Sequence, residues 1–163
     1  MSGQRYGSDH QDRFDVPDSH GTYVLVLIVH WEAVIEVGSL GGLTFEPGVY
    51  LYCGSALGPG GLAARIGHHS KFVKSPRWHI DYLTFAAYLF EVWYVESEER
   101  FEHEWAVILA AIDGVEEAAS GFGASDCSCP SHLFRTDRTD IFEAFTGLAG
   151  DAVKRSAAVR LSG

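Results

Sequence analysis

This sequence predicts a small α+β domain in which a central antiparallel β-sheet is flanked by helices. Three features carry that expectation. Runs of β-branched, aliphatic and aromatic residues without breakers recur at residues 21–31, 49–55 and 86–96, as strands buried on at least one face require. Glycine-rich turns punctuate them. Residues 98–113 carry Phe101, Trp105, Ile108 and Ile112 as one apolar stripe at helical spacing. A chain of 163 residues suffices for one domain with a full hydrophobic core and no covalent staples.

Along the chain, residues 1–20 hold four aspartates and little apolar content, so they read as a flexible leader. The domain proper is expected over 21–150. It opens with the strand GTYVLVLIVHW and a short second strand, AVIEV; GSLGGLTFEPG then turns the chain into VYLYCGS, giving a meander of about three antiparallel strands. On the last of these Tyr50 and Tyr52 share a face, because side chains repeat every two residues. LGPGG breaks that strand. GLAARIGHHSKF reads as a short helix whose Arg65 and His69, four apart, lie on one face. SPRWHIDYL is a turn entering a helical or irregular segment, AAYLFEVWYVE a further strand, and the 98–113 helix follows. GFGASDCSCPSHLF is a polar loop leading to a short strand, TDIFEAFTGL a closing helix with Asp140 near its start, and 151–163 a C-terminal tail.

Bulk properties narrow the function. There is no run of 18 apolar residues and no apolar segment near the N-terminus, so neither a membrane span nor a signal peptide is expected. The odd count of three cysteines, two of them as Cys127-x-Cys129, suits a reducing compartment, and a cytoplasmic protein is expected. The net charge of −10 argues at first against a nucleic-acid ligand. Its distribution argues the other way: residues 47–80 contain no Asp or Glu but hold Arg65, Lys71, Lys74 and Arg77, with His68, His69 and His79 among them. One basic segment on an acidic chain steers an anion to one place.

Phosphodiester hydrolysis needs a polarised water or hydroxyl, a cation against the phosphoryl oxygens and usually a divalent metal. Strand tyrosines, Arg65, His69 and a carboxylate on the 98–113 helix could meet those needs. Taken singly, each has a plainer reading: a strand tyrosine fills a core, Arg65 and His69 form a solvated helix face, and GPGG is a turn. Their ordered conjunction is more specific.

GTY at Gly21–Tyr23, YCG at Tyr52–Gly54, Arg65-x-x-x-His69 and a later helical glutamate resemble, in that order, the GIY-YIG nuclease superfamily. YCGSALGPGGLAARIGHH, WHIDYL and GFGASDCSCPSHLF are similar to its Uri-type branch. The resemblance implies a GIY-YIG-like domain and a metal-dependent endonuclease acting on DNA. Tyr23 and Tyr52 would border the nucleophile and phosphate, Arg65 would clamp the phosphate, and His69 would assist four residues on. A glutamate would hold one Mg2+ or Mn2+. Glu102 and Glu104 both qualify; being roughly 200° apart around the helix, they cannot both face one site, and Glu102, between Phe101 and Trp105, fits the superfamily spacing better. Gly54, Gly61, Lys71, Lys74, Arg77, His79 and Asp81 are the expected substrate contacts, although His79 and Asp81 suit a packed corner equally well. A second reading is a nuclease-like module that binds nucleic acid without cutting it.

Asp126, Cys127, Cys129 and His132 are all metal-ligand types. Cys127, Cys129 and His132 could hold zinc, though Cys-x-Cys is tighter than the common knuckle; alternatively this loop packs beside the site. With few fixed cations, non-specific affinity should be low at physiological salt. A particular DNA structure, or delivery by a partner protein, is expected over random duplex.

Overall fold

The computed structural model describes residues 12–71, 75–124 and 128–160. Its centre is a pair of long strands, β2 (Gly21–Val29) and β5 (Gly48–Ala56), antiparallel along their whole length with Gly21 opposite Ala56 and Val29 opposite Gly48. β6 (Tyr88–Glu96) pairs with the other side of β2. The sheet is completed by β7 (Val115–Glu117), β8 (Leu133–Thr136) and β9 (Lys154–Ala157), in the order β7-β8-β5-β2-β6-β9, every pairing antiparallel. The expected α+β class is the observed one.

The expected meander differs in one respect. β3 (Ala33–Glu36) and β4 (Gly42–Phe45) pair with each other as a separate hairpin, and β2 meets β5 directly. The reason is burial. β2 is apolar on both faces and needs nine-residue partners on both edges, whereas β3 alternates between half-buried and exposed residues and has one face to cover.

Period-two alternation sends β2 into two cores. Tyr23, Leu25, Leu27 and Val29, with Tyr50 and Tyr52 of β5, pack on α1 (Gly61–Ser70) and α2 (His79–Leu83) through Leu62, Ile66, Ile80 and Leu83. Val24 and Val26, with Leu51, Cys53 and Trp93, pack on α3 (Glu102–Ala111) and α4 (Ile141–Ala149) through Trp105, Leu109, Ile141 and Phe145. Each fully buried aliphatic side chain contributes about 1.5–3 kcal/mol. The buried face of α3 is Trp105, Ala106 and Leu109. The expected stripe packs in this same core, with Trp105 and Ile112 buried and Phe101 and Ile108 half-buried, and Ala106 and Leu109 widen it.

Order also reaches beyond 21–150. Phe14 is part of the first core, the Asp15 amide donates to Ser156 Oγ at 3.1 Å, and β1 (Asp12–Arg13) pairs with β10 (Val159–Arg160). The leader expected over 1–20 therefore packs from residue 12 onward; residues 1–11 lie outside the described part. The expected tail supplies β9, whose Arg155 Nε donates to the buried Glu91 carboxylate at 2.9 and 3.0 Å. Without it β6 would be a bare edge carrying an underpaired buried charge. Among the described residues no helix is long and apolar enough to cross a membrane.

Candidate functional site

Gly54 stands opposite Tyr23 in the β2–β5 register. A Cβ there would strike the Tyr23 hydroxyl, so the glycine of YCG is the space that Tyr23 occupies. Gly61 opens α1 with φ at +57°, and a Cβ on it would meet the carbonyls of Asp18 and Ser19. The next two amides, Leu62 and Ala63, donate to the Ser19 and Pro17 carbonyls at 2.9 Å each. The first turn of α1 is thereby bonded within the fold, and Gly61, expected at the substrate, is buried and lines a smaller hollow that adjoins the cleft at Gly58, Arg65, Arg77 and Trp78.

So anchored, α1 delivers Arg65 and His69. His69, 2 % exposed, places Nε2 2.8 Å from Tyr23 Oη and Nδ1 3.3 Å from Asp81 Oδ1. Asp81 is fully buried. Burial alone would raise its carboxyl, but hydrogen bonds from His69, the Arg77 amide and His68 outweigh that and hold it well below the usual carboxylate range. The Arg77 and Trp78 amides donate to Oδ2 at 2.8 and 3.1 Å, and His68 Nε2 lies 3.0 Å from it. An ionised carboxylate only accepts, so His69 carries its proton on Nδ1 and Nε2 accepts from Tyr23. Asp81, expected at the substrate, instead orients His69 from behind, and His69 lies behind the cleft, bonded to Tyr23 and packed against the Tyr52 and Trp78 rings.

The cleft in front of these groups has a volume of about 480 Å³ and is lined by Tyr23, Tyr52, Gly54, Ser55, Leu57, Gly58, Arg65, Arg77, Trp78, His79, Arg100, Glu102 and Gly123. Burial pushes the Tyr23 phenol up, with Arg65 pulling it part of the way back, and burial also raises Tyr52. Both are protonated at neutral pH. Arg65 Nη1 donates to the Ser55 carbonyl at 2.7 Å, and its guanidinium lies 4.3 Å from the centre of the Trp78 ring; that of Arg77 lies 4.9 Å from the same ring. Trp78 thus holds two cations at the rim. His79, lowered by burial, accepts from the Gly123 amide on Nδ1 at 2.8 Å. A neutral His79 therefore bears its proton on Nε2.

Glu102 arrives from the other side of the sheet. The Thr22 hydroxyl, buried at the second position of GTY, accepts the Phe101 amide at 3.1 Å and fixes the start of α3 against β2. In the first helical turn Glu102 lines the cleft, with its carboxylate 3.4 Å from His132 Nδ1 and 3.5 Å from Arg100 Nε. Burial would raise its carboxyl; hydrogen bonding from His132 and Ser55 and the charges of His132 and Arg100 bring it below its ordinary value. Glu102 is therefore anionic at neutral pH, whereas Glu104 is exposed and is not among the cleft residues. One anionic carboxylate beside an open, polar cleft suits Mg2+, which keeps several waters and takes one or two protein carboxylates.

Of the other expected contacts, Lys71 is exposed at the end of α1 and does not line the cleft. Lys74, Asp126 and Cys127 lie outside the described residues. Arg100 and Trp78 also line the cleft, and the sequence carries little sign of it: Arg100 precedes a helix start with no pattern of its own, and a tryptophan beside a turn reads as core. Cys129 and His132 come together with His103, a residue the sequence did not single out; Cys129 Sγ is 3.3 Å from His103 Nδ1.

Fold and cleft together define a small two-layered-core α+β domain with, among the described residues, one carboxylate and three arginines lining a polar cleft. Over residues 22–153 the chain matches the family described as domain of unknown function DUF123, and it belongs to that family. No curated protein and no solved structure matches it.

Proposed function

We propose that the protein is a metal-dependent endonuclease that hydrolyses DNA phosphodiester bonds, in the manner of the GIY-YIG nucleases its motifs resemble. The observation carrying this reading is the convergence of Tyr23, Tyr52, Arg65 and Glu102 on one cleft, with His69 and Asp81 behind Tyr23. Tyr23 receives a proton from the attacking water while passing its own to His69 Nε2, and Asp81 balances the imidazolium that results. Such a relay allows a phenol of raised pKa to serve as a base without becoming a free phenolate. Arg65 and Arg77 pair with phosphoryl oxygens, and Tyr52 and the Nε2–H of His79 donate to the phosphate or leaving oxygen. Glu102 would hold the Mg2+ or Mn2+, which when bound neutralises charge on the phosphoryl group.

An acidic surface around a few clustered arginines favours a particular DNA structure, or delivery by a partner protein, over random duplex. The test is incubation of single-stranded, duplex, flap and branched DNA with the protein at low salt, with Mg2+, Mn2+ or a chelator. Metal-dependent cutting of one structured substrate is expected. Salt-sensitive binding with no cutting under any metal would replace this reading with that of a non-catalytic nucleic-acid-binding module, which the arginine pair on Trp78 would equally serve.

A further inference from the structure

His103 in the first turn of α3, and Cys129 and His132 in the loop leading into β8, offer donor atoms that all lie within 4.8 Å of one another. We propose that His103, Cys129 and His132 form a zinc site, separate from the metal that Glu102 would hold in the cleft.

The chemistry fits zinc. One thiolate and two imidazoles are soft and borderline donors, poor partners for Mg2+ but good ones for Zn2+. Zinc bonds of about 2.0–2.3 Å at tetrahedral angles put donor atoms roughly 3.3–3.8 Å apart. Cys129 Sγ and His103 Nδ1, at 3.3 Å, already meet that spacing, and the remaining pairs need to close by an ångström or so. The His103 and His132 rings are tilted at 65° with centroids 5.6 Å apart, so both can face a shared centre. Three protein donors leave the fourth position to water.

His132 Nδ1 also stands 3.4 Å from Glu102 Oε2. A zinc ion on the other ring nitrogen would complete a carboxylate–histidine–zinc chain, the usual arrangement by which a second partner fixes a ligand's tautomer. The site would then tie the loop at 128–132 to α3 and hold the Glu102 carboxylate in register with the cleft.

The experiment uses the full chain without an affinity tag, titrated with zinc against a chromophoric chelator and, separately, loaded with cobalt(II). One zinc per chain is expected, together with tetrahedral d–d absorption and a thiolate-to-cobalt charge-transfer band. Cys129→Ser should abolish that band. His103→Gln, on the partly exposed flank of α3, should weaken zinc binding at least ~100-fold, since even outer partners cost ~10- to 100-fold. Glu104→Gln should leave binding unchanged. No bound zinc, or zinc held with equal affinity and the same cobalt spectrum in Cys129→Ser and His103→Gln, would overturn the proposal. The readout involves no DNA, so it stands or fails apart from the nuclease reading.

Discussion

Tyr23 Oη and His69 Nε2 lie 2.8 Å apart, both residues almost wholly buried with Tyr23 at the wall of the cleft, and the far nitrogen of the ring faces a buried carboxylate. The proposed proton relay predicts that Tyr23→Phe and His69→Gln each lower single-turnover cleavage about 10²- to 10⁴-fold. Because the pair acts as a unit, the double variant should be no worse than the more severe single one. Multiplicative losses in the double variant would mean that the two groups act independently.

Stability should follow the ionisation of Asp81. Its folded pKa lies below that of the unfolded chain, so the stabilisation is complete above the ordinary carboxylate value of ~3.9 and fades as the pH falls from there toward the folded value. Asp81→Asn removes charged hydrogen bonds costing about 2–3 kcal/mol at pH 7. Denaturant unfolding should show that deficit shrinking below about pH 4. A deficit that stayed undiminished between about pH 4 and pH 2 would contradict the assignment of Asp81 as an ionised acceptor.

The glycine of YCG makes a sharper steric prediction. A methyl at position 54 occupies the place of the Tyr23 hydroxyl, so Gly54→Ala should cost about 1–3 kcal/mol by overpacking. It should also break the contact with His69. Thermal unfolding measures the first effect, and cleavage at saturating DNA the second; a fully active, equally stable Gly54→Ala protein would show that Tyr23 need not sit there.

Much of this arrangement was legible in the sequence, because short-range chemistry determines it. The strands at Gly21–Val29 and Gly48–Ala56, the α1 face carrying Arg65 and His69, and Glu102 at the start of α3 follow from periodicity, breakers and motif order. What escaped depends on contacts distant in the chain. Nothing local says that Asp81 points inward to His69 and His68, since an aspartate before an aromatic reads equally as a surface contact. β9 was hidden because KRSA is polar: it is an edge strand chosen by the needs of Glu91 on β6 and not by its own apolar content. The separate β3–β4 hairpin likewise reflects which partner length β2 demanded.

DNA affinity should depend on the rim cations. Arg65→Ala and Arg77→Ala should each reduce the slope of log affinity against log salt by about 0.7–0.9. Trp78→Leu keeps both charges but removes their ring, and should weaken binding only several-fold, as two exposed cation–π contacts of ~0.5–1 kcal/mol each allow. Fluorescence anisotropy on the best structured DNA, across a salt series, separates these effects.

The most direct measurement compares Glu102→Gln with Glu104→Gln in single-turnover cleavage of that DNA under saturating Mg2+. Glu102 faces the cleft as an anion, and Glu104, two residues along the same helix, is exposed away from it. Glu102→Gln should abolish metal-dependent cutting while DNA binding persists, and Glu104→Gln should cut as the native protein does. Undiminished cutting by Glu102→Gln would contradict a hydrolytic site built on Tyr23, Arg65 and Glu102.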